Sequence, residues 1–124
     1  MRALLDTSII VADSADGLNA GAVSVITIAE LDFGVRQARD RVQRQQRLAR
    51  RNDTTTRFDP IPVDLSIAAA WGDLAALTAE RGRQPRRRSM DLLIAATAQV
   101  YGLTLLTRDE DLLWLSDVLD VRTA

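Results

Sequence analysis

The sequence contains no cysteine, no histidine and no lysine, so all sixteen of its basic residues are arginine. Without cysteine, the chain can form neither a disulfide framework nor a thiolate metal site, which is compatible with a reducing compartment. Without histidine or lysine, catalysis by an imidazole base and Schiff-base chemistry are excluded. Arginine, carboxylates and a bound metal ion remain as the available chemistry.

Long apolar runs are also missing from the sequence. No run approaches the roughly 18–20 residues that span a bilayer, and the N-terminus lacks the apolar region of a signal peptide. The 124 residues therefore predict a single soluble domain over 1–124, located in the cytoplasm.

Acidic residues stand at or just beyond the ends of three short apolar runs. The first run is followed at once by a carboxylate and then by two hydroxyl residues, Thr7 and Ser8. The runs and their acids are 3–5 with Asp6, 23–27 with Glu30, and 103–107 with Asp109 and Asp111. If these runs are neighbouring parallel strands, their acids meet at one edge of the sheet, where open α/β sheets bind ligands. Asp91, which opens a helix-like segment, is expected to join them.

Strand-like and helix-like segments alternate along the chain, which predicts an α/β fold with a central, mostly parallel sheet between helices. Thr7 or Ser8, Asp64 and Ser89 are expected to cap helices, and Gly102 to end one. Besides the three strands, the predicted segments are a helical turn 9–12, a loop 13–17, a helix 28–39, a polar helix or helix pair 36–51 broken at 52–56, an extended piece 58–63, helices 64–82 and 89–101, a helical stretch 109–116 and a final strand 118–121.

Each acid also has a purely structural explanation. Thr27 with Glu30, and Thr107 with Glu110, have the form of capping boxes. Asp91 lies in a first helical turn, where the macrodipole favours an acid, and Asp6 fits a turn. Caps, however, do not require the acids to cluster, and clustered carboxylates repel one another unless a divalent cation neutralises them. Oxygen ligands without cysteine or histidine select Mg²⁺ or Mn²⁺ over zinc.

The densest charge run lies directly before Asp91. It has two explanations: a solvated loop, or a clamp for the phosphates of a nucleic acid. Its arginines are Arg81, Arg83, Arg86, Arg87 and Arg88.

Four motifs, in this order and over nearly the whole chain, resemble the PIN-domain nucleases, and among them the VapC-type toxins of bacterial toxin–antitoxin pairs. The segment between Asp6 and Glu30 is short for that family, and Leu112 stands where phenylalanine is frequent. The matching motifs are Leu4-Leu-Asp-Thr-Ser8, Ser24-Val-Ile-Thr-Ile-Ala-Glu-Leu31, Asp91-Leu-Leu-Ile-Ala-Ala-Thr-Ala98 and Thr107-Arg-Asp-Glu-Asp111.

The resemblance implies a PIN-like α/β/α fold and a Mg²⁺- or Mn²⁺-dependent endoribonuclease acting on structured RNA such as tRNA or rRNA. It also implies a homodimer and a VapB-type antitoxin that blocks the site. By the same resemblance, Asp6, Glu30, Asp91 and Asp109 are the catalytic and metal-binding quartet, Asp111 is an additional metal-binding acid, and Ser8 and Thr107 are hydroxyls that support them.

The residues also bear on other classes of protein. A haloacid-dehalogenase-type phosphatase needs a second aspartate where Ser8 stands and a lysine, and a receiver domain needs a lysine too. A Toprim-like metal site uses Asp109 and Asp111 but leaves Asp6 and Asp91 without a role. A non-catalytic PIN-like module that binds RNA or protein remains as the alternative, with the four acids serving as helix caps.

Overall fold

The structure, a computed structural model, describes residues 2–12 and 21–124. Helices flank short parallel strands, as the sequence predicts, but the strands do not alternate with single helices: in the described residues, five α-helices lie between β1 and β2. The elements are β1 (Ala3–Leu5), α1 (Thr7–Val11), α2 (Val25–Arg36), α3 (Arg41–Arg57), α4 (Leu65–Glu80), a 3₁₀ helix (Pro85–Arg88), α5 (Ser89–Tyr101), β2 (Thr104–Thr107), a second 3₁₀ helix (Glu110–Asp117) and β3 (Val121–Thr123). None of the helices in the described part of the chain has both the length and the hydrophobicity to cross a bilayer.

The sheet is parallel, with the strand order β1-β2-β3. Its register pairs Leu4 with Leu105 and Leu5 with Leu106. On the far side of β1, two isolated parallel bridges extend the sheet, one between Leu4 and Ala22 and one between Ser24 and Ile61. All strands therefore end at the same edge, which is the geometry that brings strand-end acids together.

Alternation along the strands divides the core between the two faces of the sheet. Leu4 and Leu105 belong to a cluster that includes residues of α4 and α5. Leu5 and Leu106, the next residues along each strand, belong to a second cluster that includes residues of α1 and α2. The α/β/α layering follows, because both faces of the short strands are covered.

Three local predictions are confirmed. The Asp64 carboxylate accepts a hydrogen bond of 2.9 Å from the amide of Ile67 and so caps α4. Gly102 ends α5 in the left-handed conformation, with φ of 64°. Ile61, between two prolines, forms only an isolated bridge, as expected for a segment at a sheet edge.

The predicted strand over 23–27 is wrong, because α2 begins at Val25. The side chain of Ser24 caps this helix by accepting the amide of Ile26 at 3.0 Å. This cap and the contacts of α2 override the strand preference of its β-branched first residues. The helix predicted over 28–39 consequently starts three residues earlier and ends at Arg36.

The expected break at 52–56 is also wrong, since α3 continues to Arg57. The hydroxyls of Thr54 and Thr56 donate to the carbonyls of Arg50 and Asn52, four residues earlier, and that pattern is compatible with a helix.

Smaller corrections concern caps and boundaries. Asp6, rather than Thr7 or Ser8, is the N-cap residue of α1. Ser89 does not cap α5, because the 3₁₀ helix runs directly into it. The last strand is Val121–Thr123 rather than 118–121. The loop predicted over 13–17 lies outside the described residues.

Candidate active site

Asp6 is the most deeply buried acid of the site, with 4% of its surface exposed. It follows β1 directly, and its amide donates to the carbonyl of Leu106 in the neighbouring strand at 2.9 Å. Its carboxylate oxygen Oδ2 accepts hydrogen bonds from the hydroxyls of Ser8 at 2.7 Å and Thr107 at 2.8 Å. Two hydroxyls thus fix the orientation of a buried carboxylate at the carboxyl edge of the sheet.

Thr107 connects Asp6 to the next acid. Its hydroxyl oxygen accepts the amide of Asp109 at 2.9 Å while its proton is directed to Asp6. The Ser8 hydroxyl in turn accepts the amide of Arg108 at 3.0 Å. Ser8 and Thr107, predicted as supporting hydroxyls, therefore join the end of β1 to the loop after β2.

Glu30 enters the site from the second turn of α2. Its Oε1 accepts a hydrogen bond of 2.6 Å from the hydroxyl of Thr7, which also lies 3.0 Å from the hydroxyl of Thr27. The capping box between Thr27 and Glu30 is therefore wrong, because both side chains turn towards Thr7. The sequence predicts Thr7 only as a helix cap, although its position directly after a strand-end aspartate is the signal for its contact with Glu30.

The pKa of Glu30 is raised from its usual value of 4.5. Burial is the main cause, the Thr7 hydrogen bond opposes it, and the charges of Asp91 and Asp6 add to the rise. Glu30 therefore lies close enough to both aspartates for their charges to matter.

Asp91 lies in the first turn of α5, as predicted. Burial raises its pKa, the hydrogen bond from Arg88 lowers it, and the charges of Asp6 and Asp109 raise it. Asp6 and Asp91 act on Glu30, and Asp6 and Asp109 act on Asp91, so the fold brings the four predicted acids near one another.

Arg88 forms three ion pairs inside this group. Its Nη1 lies 3.0 Å from Oδ2 of Asp91 and 2.9 Å from Oδ2 of Asp109, and its Nη2 lies 2.9 Å from Oδ2 of Asp111. Asp111 also donates its amide to Oδ1 of Asp109 at 3.0 Å. Arg88, which the sequence assigns to the RNA clamp, is thus placed on the acids, and Asp111 reaches the site through it.

Two other arginines of the run, Arg83 and Arg87, line an open cavity of about 300 Å³ beside Arg88. Arg83 lies over the ring of Trp114, 5.0 Å from its centroid, and Arg87 lines the same cavity. Arg81 pairs with Asp117 and donates to the carbonyl of Trp114, whereas Arg86 is exposed. Some arginines of the run therefore contact Trp114, and others remain accessible to a ligand.

A second cavity, of about 140 Å³, opens on the other side of Glu30 between α1, α2 and α3. Arg47 and Arg50 of α3 line it together with Thr7. Arg47 is held there by a hydrogen bond of 2.6 Å from its Nη1 to the carbonyl of Gly34. The sequence predicts a polar helix or helix pair over 36–51 but does not show which of its residues face the site.

The donor chemistry of the site fits a hard divalent cation, because its ligating atoms are all carboxylate and hydroxyl oxygens. Among the described residues, however, no three acids are spaced as a ready set of metal ligands. Arg88 holds Asp91 and Asp109 through N–H···O contacts close to 3 Å, whereas Mg²⁺ holds oxygen at about 2.0–2.1 Å.

Comparison with known proteins identifies the family that has this architecture. Residues 3–116 match the profile of the family described as "PIN domain". The chain belongs to the PIN-domain family. This PIN domain is 36% identical to Ribonuclease VapC4 of Mycobacterium tuberculosis, over 94% of the chain and 93% of the relative. It is 37% identical to Ribonuclease VapC5 of the same organism, over 87% and 83%.

Solved structures agree with this membership. A member of the VapBC family of toxin–antitoxin systems, VapBC-5 from Mycobacterium tuberculosis, superposes on this PIN domain with a TM-score of 0.84. The two are 35% identical, and the match covers 98% of this chain and 96% of the other. The fold class and the family expected from the four motifs are confirmed.

Proposed function

We propose that this PIN domain is a metal-dependent endoribonuclease and the toxin of a VapBC-type pair. The observation that carries the proposal is the convergence of Asp6, Glu30, Asp91 and Asp109 from four separate parts of the fold. It occurs in a chain that is 36% identical to Ribonuclease VapC4 along nearly its whole length. Helix capping alone does not explain why the charges of Asp91 and Asp6 raise the pKa of Glu30, or why those of Asp6 and Asp109 raise the pKa of Asp91.

The cofactor is Mg²⁺ or Mn²⁺, held by Asp6 and Asp109 at the strand ends, with Glu30 and Asp91 completing the set and Asp111 at its margin. When bound, such an ion lowers the pKa of a water molecule and stabilises negative charge on the leaving oxygen of a phosphodiester.

Side chains of the protein itself have the remaining catalytic roles. Ser8 and Thr107 keep the Asp6 carboxylate in one orientation through their hydrogen bonds. Glu30 is oriented by the hydrogen bond from the hydroxyl of Thr7 and would accept the proton of the attacking water. Because water attacks, the products carry 5′-phosphate and 3′-hydroxyl ends.

The substrate is a structured RNA such as tRNA or rRNA. Arg83, Arg86 and Arg87 are available for its phosphates, whereas Arg81 supports them through Trp114 and Asp117. Arginine suits this role because its planar group forms paired hydrogen bonds with phosphate oxygens.

The partners are a VapB-type antitoxin and a second copy of the chain. The location is the cytoplasm, where tRNA and rRNA are found. The similar VapBC-5 structure supports the antitoxin. Phe33 of α2 and Val42 of α3, each 64% exposed, provide apolar surface for such contacts.

Cleavage of total RNA by the purified protein tests the proposal, with Mn²⁺, with Mg²⁺ and with EDTA. Metal-dependent cutting into discrete fragments with 5′-phosphate ends is expected. The matched control is Asp6→Asn, which keeps an oxygen acceptor for Ser8 and Thr107 but removes the charge. We expect this variant to lose cleavage and to unfold at the same temperature or higher. Cleavage that persists in EDTA or in the variant would contradict the proposal, and absence of cleavage would favour a binding module.

A further inference from the structure

Arg88 stands between two of the four catalytic acids. A single nitrogen, Nη1, bonds one oxygen of Asp91 and one of Asp109, and Nη2 reaches Asp111. The guanidinium therefore neutralises part of a cluster that would otherwise consist of carboxylates alone. One positive group is already present at the position where the proposed function needs a divalent ion.

The backbone fixes this placement. Arg88 ends the 3₁₀ helix and directly precedes α5, so that it lies three residues before Asp91 on one side of the helix start. Its side chain is 30% exposed in these pairs, whereas Arg86 and Arg87 of the same turn are exposed residues. Arg88 is thus separated from the rest of the arginine run by its contacts as well as by its burial.

We propose that Arg88 is the resident counter-ion of the acidic site, and that Mg²⁺ or Mn²⁺ binds by displacing it. The inference rests on the proposed metal-dependent function. Asp91 and Asp109 each accept the hydrogen bond of Arg88 through Oδ2. Since Mg²⁺ requires oxygens at about 2.0–2.1 Å, these carboxylates must move inward by about 1 Å, and the guanidinium cannot stay between them.

A cavity that can receive the displaced Arg88 side chain lies next to the site. Arg88 also lines the cavity of about 300 Å³ that contains Arg83 and Arg87. We expect rotation of the side chain, without movement of the backbone, to bring its guanidinium into this cavity. There it meets RNA phosphate rather than carboxylate, so metal binding and phosphate binding favour each other.

The affinity for metal tests the exchange directly. The proteins to compare are the wild type, Arg88→Gln and Arg86→Gln, with titration of Mn²⁺ by calorimetry and thermal unfolding in EDTA. We expect Arg88→Gln to bind Mn²⁺ at least about fivefold more tightly, the lower end of a typical coupling between two ligands. It should also unfold at a lower temperature in EDTA, because three carboxylates lose their partner. Arg86→Gln should match the wild type in both measurements.

Two outcomes would overturn the inference, and they are distinguishable. If the wild type binds Mn²⁺ and cleaves RNA, but Arg88→Gln binds Mn²⁺ equally or less tightly, Arg88 does not compete with the metal and only this inference fails. If neither protein binds Mn²⁺, the metal-dependent function fails as well.

A second measurement keeps the test valid should Arg88→Gln not fold. The Nε–H resonance of Arg88 in the wild type, assigned with Arg88→Lys, should shift on addition of Mg²⁺ as its carboxylate partners leave. A resonance that does not change while Mg²⁺ binds would contradict the displacement.

Discussion

The hydroxyl of Thr107 serves two acids at once. It is fully buried, donates to Asp6 and accepts the amide of Asp109. We expect Thr107→Val to lower the free energy of unfolding by about 1–3 kcal/mol, the cost of leaving buried polar groups unpaired. Cleavage should fall too, because two of the proposed catalytic acids lose their orientation. Urea unfolding and the rate of RNA cleavage measure both effects, with Thr107→Ser, which keeps the hydroxyl, as the control. Equal losses of cleavage in both variants would refute this role.

Glu30 makes the stability depend on pH in a defined direction. Because its pKa in the folded protein is raised, folding favours the protonated form. Its contribution to stability is therefore fully present below the usual pKa of 4.5 and is lost as the pH rises through the raised value.

Glu30→Gln should consequently unfold at a higher temperature than the wild type at pH 7. The difference should shrink towards pH 4, where the wild-type carboxyl is protonated, since glutamine preserves the oxygen that accepts from Thr7. Thermal unfolding of both proteins across this range checks the prediction, and a pH-independent difference would contradict it.

At the scale of elements, two glycines offer a matched pair of substitutions. Gly102 ends α5 with φ of 64°, whereas Gly72 lies inside α4, and neither has an atom within 4 Å of an added Cβ. Gly102→Ala should destabilise the fold by about 1 kcal/mol, because alanine disfavours the left-handed conformation. Gly72→Ala should stabilise it by roughly 0.5–1 kcal/mol through helix propensity. Chemical denaturation measures both, and effects of the same sign would be inconsistent with this explanation.

Elements with local signals were predictable from the sequence. Asp64 and Gly102 act on residues next to them, and strand-end acids meet because parallel strands share an edge. The start of α2 was not predictable in this way. Its first residues, Val25, Ile26 and Thr27, favour strands by themselves, and only the fold, together with the Ser24 cap, makes them helical.

The contacts of the site that join residues distant in the sequence could likewise not be predicted. Asp6, Glu30, Asp91 and Asp109 were named from their positions after apolar runs or at helix starts. The partners of Arg88 at Asp109 and Asp111 lie 21 and 23 positions away, so only the completed fold shows that this arginine faces acids rather than solvent.

For the whole molecule, the distribution of charge matters more than its sum. The net charge is −1, yet arginines concentrate around the cavity next to the acids. RNA binding should therefore weaken with salt, and the Arg83→Gln/Arg87→Gln double variant should lower the slope of log affinity against log salt by about 2.

Binding of RNA by proteins that also carry Asp6→Asn, to prevent cleavage, measures this slope over a range of salt concentrations. Arg2→Gln is the control, because Arg2 precedes β1 and lies at the opposite edge of the sheet. An equal change in the control would show that the total charge, rather than the cavity, governs binding.

The hydrogen bond between Thr107 and Asp6 joins residues that are 101 positions apart. During synthesis at about 5–20 residues per second, roughly 5–20 s separate the appearance of one from that of the other. Until then, β1 has no β2 to pair with and Asp6 has no Asp109 beside it. The growing chain therefore cannot complete the proposed site until β2 and the loop that carries Asp109 have been synthesised.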